Sequence, residues 1–388
     1  MSVIIATPQQ IQEYHQSEAL GQSKLKRLLK DLASFNKEED SSAEHFLIGS
    51  AVDCKLTSTE EDFQKQYYIS EVEKKPSDAV IEILGIVYED LMQDYAEHLE
   101  VVTTQESEDV TPFHQFVGGL DNHEVYILDA CKQTGWNKAW KDETKYKNIV
   151  DGSSEYFSDL CKAFGKTVIS KTQNETITSI VSTLTNNPRT SRFFNREAFE
   201  QAPQVTVYYQ LPIYFEYRGV KCKALLDMVC VMTDENGKII SVSGVDLKTM
   251  SGNTYNFIHS VRGRRYDIQA AWYTLALCKH FNLSEDSSAM QPFMFAVESS
   301  TGPGKPLTFE VLPSLLEMGK RGRKAISLVD TNLFTEGAEN VILQPEILGY
   351  EQLLDMYLYH SEFGFIEERE IQEAGLNPIK LSWDGISS

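Results

Sequence analysis

Three residues in the second half of the chain combine side-chain type and spacing in a way that could do chemistry: Asp227, Asp246 and Lys248. Between the two acids stands Asn236-Gly237, a pair that tolerates the positive φ angles of a two-residue type I′ turn and so predicts the tip of a β-hairpin. A hairpin closed there sets Asp227 directly opposite Asp246, on one face. Side chains so opposed have Cβ atoms roughly 4.5–5.5 Å apart, and two like charges at that spacing repel unless something positive lies between them. Lys248 stands two positions beyond Asp246, and the alternation of a strand turns its ammonium to the same face.

The neighbours Leu225, Leu226, Met228, Val229 and Val231 on one side, and Val242, Val245 and Leu247 on the other, predict strands buried on both faces. Carboxylates there need a reason. One is a buried salt bridge between either aspartate and Lys248. The other is a divalent cation, since oxygen ligands from Asp227, Asp246 and the main-chain carbonyl of Leu247 suit hard Mg²⁺, with Mn²⁺ as a substitute. Such an ion polarises a phosphate and acidifies a bound water, while Lys248 would orient that water or offset the developing charge. The chemistry that uses this set is phosphodiester hydrolysis. No His or Cys cluster accompanies the acids, which disfavours a zinc hydrolase. A β-bulge in either strand would shift the pairing by one residue and undo the geometry.

The elements that must position these groups follow from periodicity. Strands are predicted over 205–217, 222–232 and 239–247, then a helix from Tyr266 to His280, a strand from Pro292 to Glu298, and helices around 312–330 and 348–360. The change to this style falls near Pro203. Upstream, 7–33 reads as an amphipathic helical segment starting at Thr7-Pro8, and 46–56 as a helix of small and apolar residues. Glu60-Glu61-Asp62 reads as a polar turn before the strand-like QYYIS. Residues 80–195 read as mostly helical, Val80 to Tyr95 most clearly, and carry no chemical signal. The expectation is an α/β core over 201–388 behind a mostly helical region 1–200 that packs on it.

Composition bounds the partners. Over 388 residues, 41% apolar and 11% aromatic content suffices for a globular core. A net charge of −21 argues against a nucleic-acid partner in general, because phosphate contacts need clustered Lys and Arg. Two local runs run counter to the average, Arg-Gly-Arg-Arg at 262–265 and Lys-Arg-Gly-Arg-Lys at 320–324; they would form a phosphate-binding rim, although basic runs are commonly only solvated faces. Cys54, Cys131, Cys161, Cys222, Cys230 and Cys278 contain no CxxC pair, so buried thiols are expected rather than a zinc site or disulfide framework. The start, MSVIIATPQQIQEYHQ, has no basic segment before an apolar run, and no apolar stretch reaches bilayer length, so a cytoplasmic location without a membrane partner is expected.

KCKALLDMVCV and SGVDLKTM together resemble the two acid-bearing strands of the PD-(D/E)XK nuclease superfamily, with Asp246-Leu247-Lys248 in the D/E-x-K place. Within it, the chain is similar to the phage-type recombination exonucleases of the exodeoxyribonuclease VIII and lambda-exonuclease group. RYDIQAAWYTLAL resembles the helix these enzymes carry next, with Tyr266, Gln269 and Tyr273 at its aromatic and glutamine positions, and FMFAVESS resembles the following strand. FLIGSAVDCKL resembles a site helix whose terminal His is here Asp53, either a further metal ligand or a surface aspartate. Leu226 stands in the place of the motif's Pro, and only Gln204 or Glu216 could stand for the acid that often precedes the first core strand.

The resemblance implies a restriction-endonuclease-like core, a central mixed sheet flanked by helices. It implies an Mg²⁺-dependent deoxyribonuclease acting at duplex DNA ends, a homo-oligomer, and a single-strand annealing protein as partner in recombination, in a bacterial host cytoplasm if phage-encoded. Asp227 and Asp246 would be metal ligands, Lys248 the catalytic lysine, Gln269 and Asp53 supporting groups. Arg262, Arg264 and Arg265 would hold a strand end, with Tyr266 and Tyr273 beside them on the following helix. An endonuclease or single-strand nuclease on the same fold, and a non-cleaving binding module, are the alternatives. An iron–sulfur nuclease is disfavoured, because no cysteine follows Cys278.

Overall fold

The computed structural model describes residues 2–36, 44–72, 75–104, 111–196, 204–324, 326–329, 341–344 and 346–363. Along the chain these form β1 (Ser2–Ile5), α1 (Pro8–Gln16), α2 (Gln22–Lys26), α3 (Glu44–Thr57), α4 (Glu60–Gln66), β2 (Tyr67–Ser70), α5 (Asp78–Thr104), α6 (Phe113–Gly118), α7 (His123–Thr134), α8 (Asp142–Ala163), β3 (Thr167–Ser170), α9 (Lys171–Asn186), α10 (Ser191–Phe194), β4 (Val205–Tyr217), β5 (Val220–Thr233), β6 (Ile239–Met250), α11 (Phe257–Gly263), α12 (Tyr266–His280), β7 (Met294–Ser299), β8 (Leu307–Glu310), α13 (Pro313–Arg321), β9 (Ile326–Val329), β10 (Val341–Gln344) and α14 (Tyr350–Phe363). Contacts divide the chain into two compact units, Met1–Ser58 with Ser179–Ser388, and Thr59–Thr178. Residues 1–58 thus belong to the unit that holds β4 to β8.

In the first unit, six strands pair in the order β1-β4-β5-β6-β7-β8. β4, β5 and β6 are successive antiparallel neighbours, β1 joins β4 and β7 joins β6 in parallel, and β8 closes the edge antiparallel to β7. With its packed helices this is a mixed α/β arrangement. The crossover from β6 to β7 runs through α11 and α12, as a parallel pair requires. α12 is buried on nearly its whole circumference, from Asp267 through Trp272 and Tyr273 to Cys278, so it lies inside the core rather than on it. Close approach is bought with glycine: a Cβ on Gly244 of β6 would stand 2.9 Å from the Phe293 ring, and one on Gly319 of α13 would stand 2.0 Å from the Asp267 carbonyl oxygen.

Three sequence expectations are corrected. The predicted segment 7–33 breaks into α1 and α2, because Leu20 turns extended to exchange main-chain hydrogen bonds with Lys221 and Lys223 on β5; Thr7 does cap α1, in a capping box with Gln10. Glu60, Glu61 and Asp62 form the first turn of α4, capped by Thr59, where acids offset the helix dipole. The helix predicted to 330 stops at Arg321, where Gly322 adopts φ +64°, and Ile326–Val329 is a strand paired with β10. Residues 325 and 330, and Pro203, lie outside the described residues.

The second unit is helical as expected, except that β3 pairs in parallel with β2. Its core gathers Ile83, Leu84, Leu91, Phe113, Ile127 and Ile149. Buried Asp159 accepts hydrogen bonds from the Tyr68 and Ser70 hydroxyls and the Glu71 N–H, tying α8 to β2. Among the described residues, no helix is long and apolar enough to cross a membrane.

Candidate active site

The hairpin that carries the two acids closes differently from the prediction. The Gly237 N–H donates to the Asp234 carbonyl at 3.0 Å and the Asp234 N–H to the Lys238 carbonyl at 2.9 Å, so the turn is centred one residue earlier, on Glu235-Asn236. Only Gly237 takes a left-handed φ there, +78°, giving a three-residue loop instead of a two-residue one. That loop alone would set the pairing off by one residue. A bulge compensates: Thr233 pairs with Ile239 but Met232 with Ser241, leaving Ile240 unpaired and exposed. Beyond it the pairing is the predicted one and runs regularly to Met228 opposite Val245, one step before Asp227 and Asp246.

At Asp227 the ladder is interrupted on both sides. Toward β4, pairing skips from Tyr209–Met228 to Leu211–Leu226, and the intervening Gln210 has φ +54°, a left-handed conformation costly for a side-chain-bearing residue. Toward β6, the carboxylate of Asp227 replaces the main chain, its Oδ2 accepting the Leu247 N–H at 2.7 Å. Strained backbone and a side chain standing in for a ladder bond thus coincide at the predicted site.

Four further groups meet these acids. Lys248 ion-pairs with Oδ2 of Asp246, and its ammonium lies 5.2 Å from the Tyr266 ring centroid. Gln269, reaching down from α12, donates its amide to Oδ1 of Asp246 at 2.7 Å and also bonds the buried Tyr273 hydroxyl. Asp53 is brought in by α3, whose Gly49 lets the helix approach β6: a Cβ there would stand 3.0 Å from Thr249 Oγ1. Arg196 holds the end of α3, donating at 2.7 Å to the carbonyls of both Leu56 and Ser58. Gln210 donates to Oδ2 of Asp53 at 2.6 Å, and the buried Oδ1 has no hydrogen-bond partner among the described residues.

The electrostatics follow from burial. Desolvation, then repulsion from Asp246, pushes Asp53 up to about 7, against the pull of Lys248 and Gln210. Asp227 is raised well above the carboxylate range by desolvation and then by Asp53 and Asp246. Desolvation also raises Asp246, opposed by Lys248 and Lys26. Burial disfavours charge on Lys248, but Asp246 and Asp227 outweigh it and hold the ammonium protonated. The cluster is therefore three mutually repelling acids around one cation.

The donors suit a hard divalent ion in chemistry: carboxylates of Asp227 and Asp246, the Leu247 carbonyl, and an unsatisfied buried oxygen on Asp53 nearby. Among the described residues no three acid, imidazole or thiolate side chains are grouped to hold an ion together. Asp53 is near enough to be repelled by both other acids without completing one ligand set with them, so an ion here would have to draw on two carboxylates and a carbonyl, with water for the rest.

The remaining candidates separate. Arg265 is committed inside the protein, to Asp267 at 2.8 Å and to the Leu348 carbonyl at 2.6 Å, with φ +51° at the start of α12. Arg262 is exposed and lines a groove of 980 Å³ made largely of apolar side chains, among them Phe295, the β7 neighbour of Asp246; Arg264 is exposed. In the second basic run, Lys320 pairs with Glu285 at 2.8 Å and Arg321 with Glu317 at 3.0 Å, while Lys324 is exposed. Tyr266 stacks on Phe257, whereas Tyr273 is buried against Phe293. All six cysteines are free and all but Cys230 are buried.

Sequence reasoning missed Gln210 and Lys26. Glu216 is exposed and Gln204 lies beside Thr233 at the far end of β4; Gln210 is the β4 residue at the acids, and a lone amide amid VYYQLPIY was the available signal. Lys26 lies 5.9 Å from the Tyr266 ring centroid and within electrostatic reach of Asp246, and nothing local in its sequence marks it.

No protein-family model matches the chain, and no curated protein resembles it significantly. Among solved structures it is similar to a candidate exonuclease from Eubacterium rectale, with 19% identity and a TM-score of 0.26, over 50% of this chain and 67% of that one. A likeness of that extent bears on neither the fold nor the activity of this chain.

Proposed function

We propose that the chain is a metal-dependent nuclease on a PD-(D/E)XK, restriction-endonuclease-like core, acting as an exonuclease at duplex DNA ends. The observation that carries the reading is the convergence of Asp227, Asp246, Lys248 and Gln269 at one interrupted point of the sheet, where desolvation and mutual repulsion call for a cation. Asp227, Asp246 and the Leu247 carbonyl would hold Mg²⁺, or Mn²⁺ in its place, which supplies Lewis-acid polarisation of a phosphate and a water of lowered pKa. Gln269 fixes the orientation of Asp246, and Gln210 that of Asp53. Lys248, held protonated, offsets negative charge developing on the phosphoryl oxygens. Duplex ends, a homo-oligomer, a single-strand annealing partner, a recombination role and a cytoplasmic location rest on the family resemblance.

A second reading, a binding module that does not cut, is favoured by two observations: Lys248 already neutralises Asp246, and no three ligand side chains are grouped among the described residues. Digestion of linear and closed circular duplex DNA in Mg²⁺ by the wild type, Asp246→Asn and Lys248→Ala separates the readings. Loss of linear DNA alone, abolished in both variants, is the expected outcome. Cutting of circles means an endonuclease, and no cutting of either substrate in Mg²⁺ or Mn²⁺ means the binding module.

A further inference from the structure

Past Lys248 the parallel strands β6 and β7 end together, at Met250 and Ser299, and the loops that follow line a cleft of 590 Å³. The crevice beyond the carboxyl ends of parallel strands is where α/β sheets present ligands. Here the loops read Ser-Gly-Asn-Thr-Tyr over 251–255 and Ser-Thr-Gly-Pro-Gly-Lys over 300–305, and the turn after α9 adds Arg189.

The cleft is built, not left over. The Gly252 N–H donates to Thr301 Oγ1 at 2.9 Å, the Thr254 hydroxyl to the Lys305 carbonyl at 3.1 Å, and the Ser300 N–H to the Met250 carbonyl at 2.8 Å. Beneath them Glu298 is fully buried, its carboxylate turned inward to accept the N–H groups of Ser299 at 2.7 Å and Gly304 at 3.2 Å. The second loop is thereby held in shape before any ligand arrives.

Its charge is opposite to that of the chain. The protein carries 57 acidic residues against 36 basic ones, yet the lining holds Arg189 and Lys305 and no carboxylate. Both side chains are exposed, and neither has an ion-pair partner among the described residues. Tyr255, 64% exposed, stands on the same wall with its backbone pinned by the Asn253 side chain. Two unpaired cations suit phosphates; an exposed aromatic between main-chain-rich loops suits the face of an unpaired base. Gly252 is four residues from Lys248, about 13 Å of extended chain at ~3.3 Å per residue.

We propose that this cleft holds a single nucleic-acid strand leading to or from the carboxylate site, with Arg189 and Lys305 on its phosphates and Tyr255 against a base. The inference deepens the nuclease reading, and its test keeps the two apart because it is done without a divalent ion. Binding of a fluorescein-labelled oligothymidylate to the full chain is followed by anisotropy in EDTA across a salt series, for wild type, Tyr255→Ala and the double variant Arg189→Gln/Lys305→Gln. Melting curves matching the wild type establish that the variants fold.

Tyr255→Ala is expected to weaken binding roughly tenfold. The double variant should bind more weakly still and flatten the slope of log affinity against log salt by about 1.4, two phosphate contacts at ~0.7 each, which a merely structural role would leave alone. Absence of binding by the wild type, or variants that bind with its affinity and slope, overturns the proposal. Strand binding lost in the variants, alongside a wild type that cuts nothing in Mg²⁺, upholds the cleft and sinks the nuclease reading; cutting by a wild type whose cleft variants bind normally does the reverse.

Discussion

Gln210 donates its amide to Oδ2 of Asp53 at 2.6 Å across 157 residues of sequence, and the other oxygen of that carboxylate is buried without a hydrogen bond among the described residues. The contact joins a helix from the start of the chain to a strained residue in the middle of the sheet. It leaves Asp53 half-satisfied among like charges, and the first prediction follows from that.

With its folded pKa raised from 3.8 to about 7, Asp53 binds its proton more tightly in the folded state than in the unfolded one. Its ionisation therefore costs stability as pH rises through that window, on the order of 4 kcal/mol at most when complete above it. Asp53→Asn removes the cost. The variant should melt with the wild type near pH 4 and several degrees above it at pH 8 without divalent ions; an equal gap at both pH values would sever the link to ionisation.

Lys248 partners an Asp246 that is only 2% exposed. Removing one member of so buried a pair strands the other charge, at about 3–5 kcal/mol, whereas neutralising both costs far less. Urea denaturation should show Lys248→Met much less stable than the double variant Asp246→Asn/Lys248→Met. Additive losses in that double-mutant cycle would mean the two residues do not interact.

If Asp227 and Asp246 hold Mg²⁺, the ion stabilises the fold by mass action, about 2.7 kcal/mol at a hundredfold excess over its Kd. Mg²⁺ at pH 8 is expected to raise the melting temperature of the wild type and leave Asp246→Asn unmoved. A rise of equal size in both proteins would place the ion elsewhere.

Gln269 is buried and its amide serves Asp246. Gln269→Leu deprives that carboxylate of a donor and should cost about 1–3 kcal/mol, read from the urea midpoint. Gln269→Glu sets a fourth acid in the cluster and is expected to be worse at pH 8 than at pH 5.

Gly319 sits where α13 touches the start of α12, with no room for a methyl group beside the Asp267 carbonyl. Gly319→Ala must push the helices apart, for about 3 kcal/mol or more. Because α12 carries Gln269, the same variant should also lower any nuclease activity beyond what lost folding accounts for.

What the sequence determined by itself is local and periodic. Alternation along β5 and β6 put Asp227, Asp246 and Lys248 on one face, and apolar spacing marked α12 from Tyr266 to His280 with Gln269 in place. The turn type was misread, yet the register came out as predicted because the bulge at Ile240 takes up the extra residue; burial of one face constrains register more strongly than turn chemistry does. Tertiary structure decided the rest. Whether Asp53 faces solvent or the acids depends on α3 closing over β6 at Gly49, and only that closure brings its carboxylate to Gln210. The same holds for the cations: Arg265 is spent on Asp267 and Leu348, Lys320 and Arg321 on glutamates, while Arg189 and Lys305 in the cleft have no ion-pair partner among the described residues. The reason is physical. Periodicity fixes which way a side chain points from its own element, but which charges meet is set by packing between elements far apart in sequence.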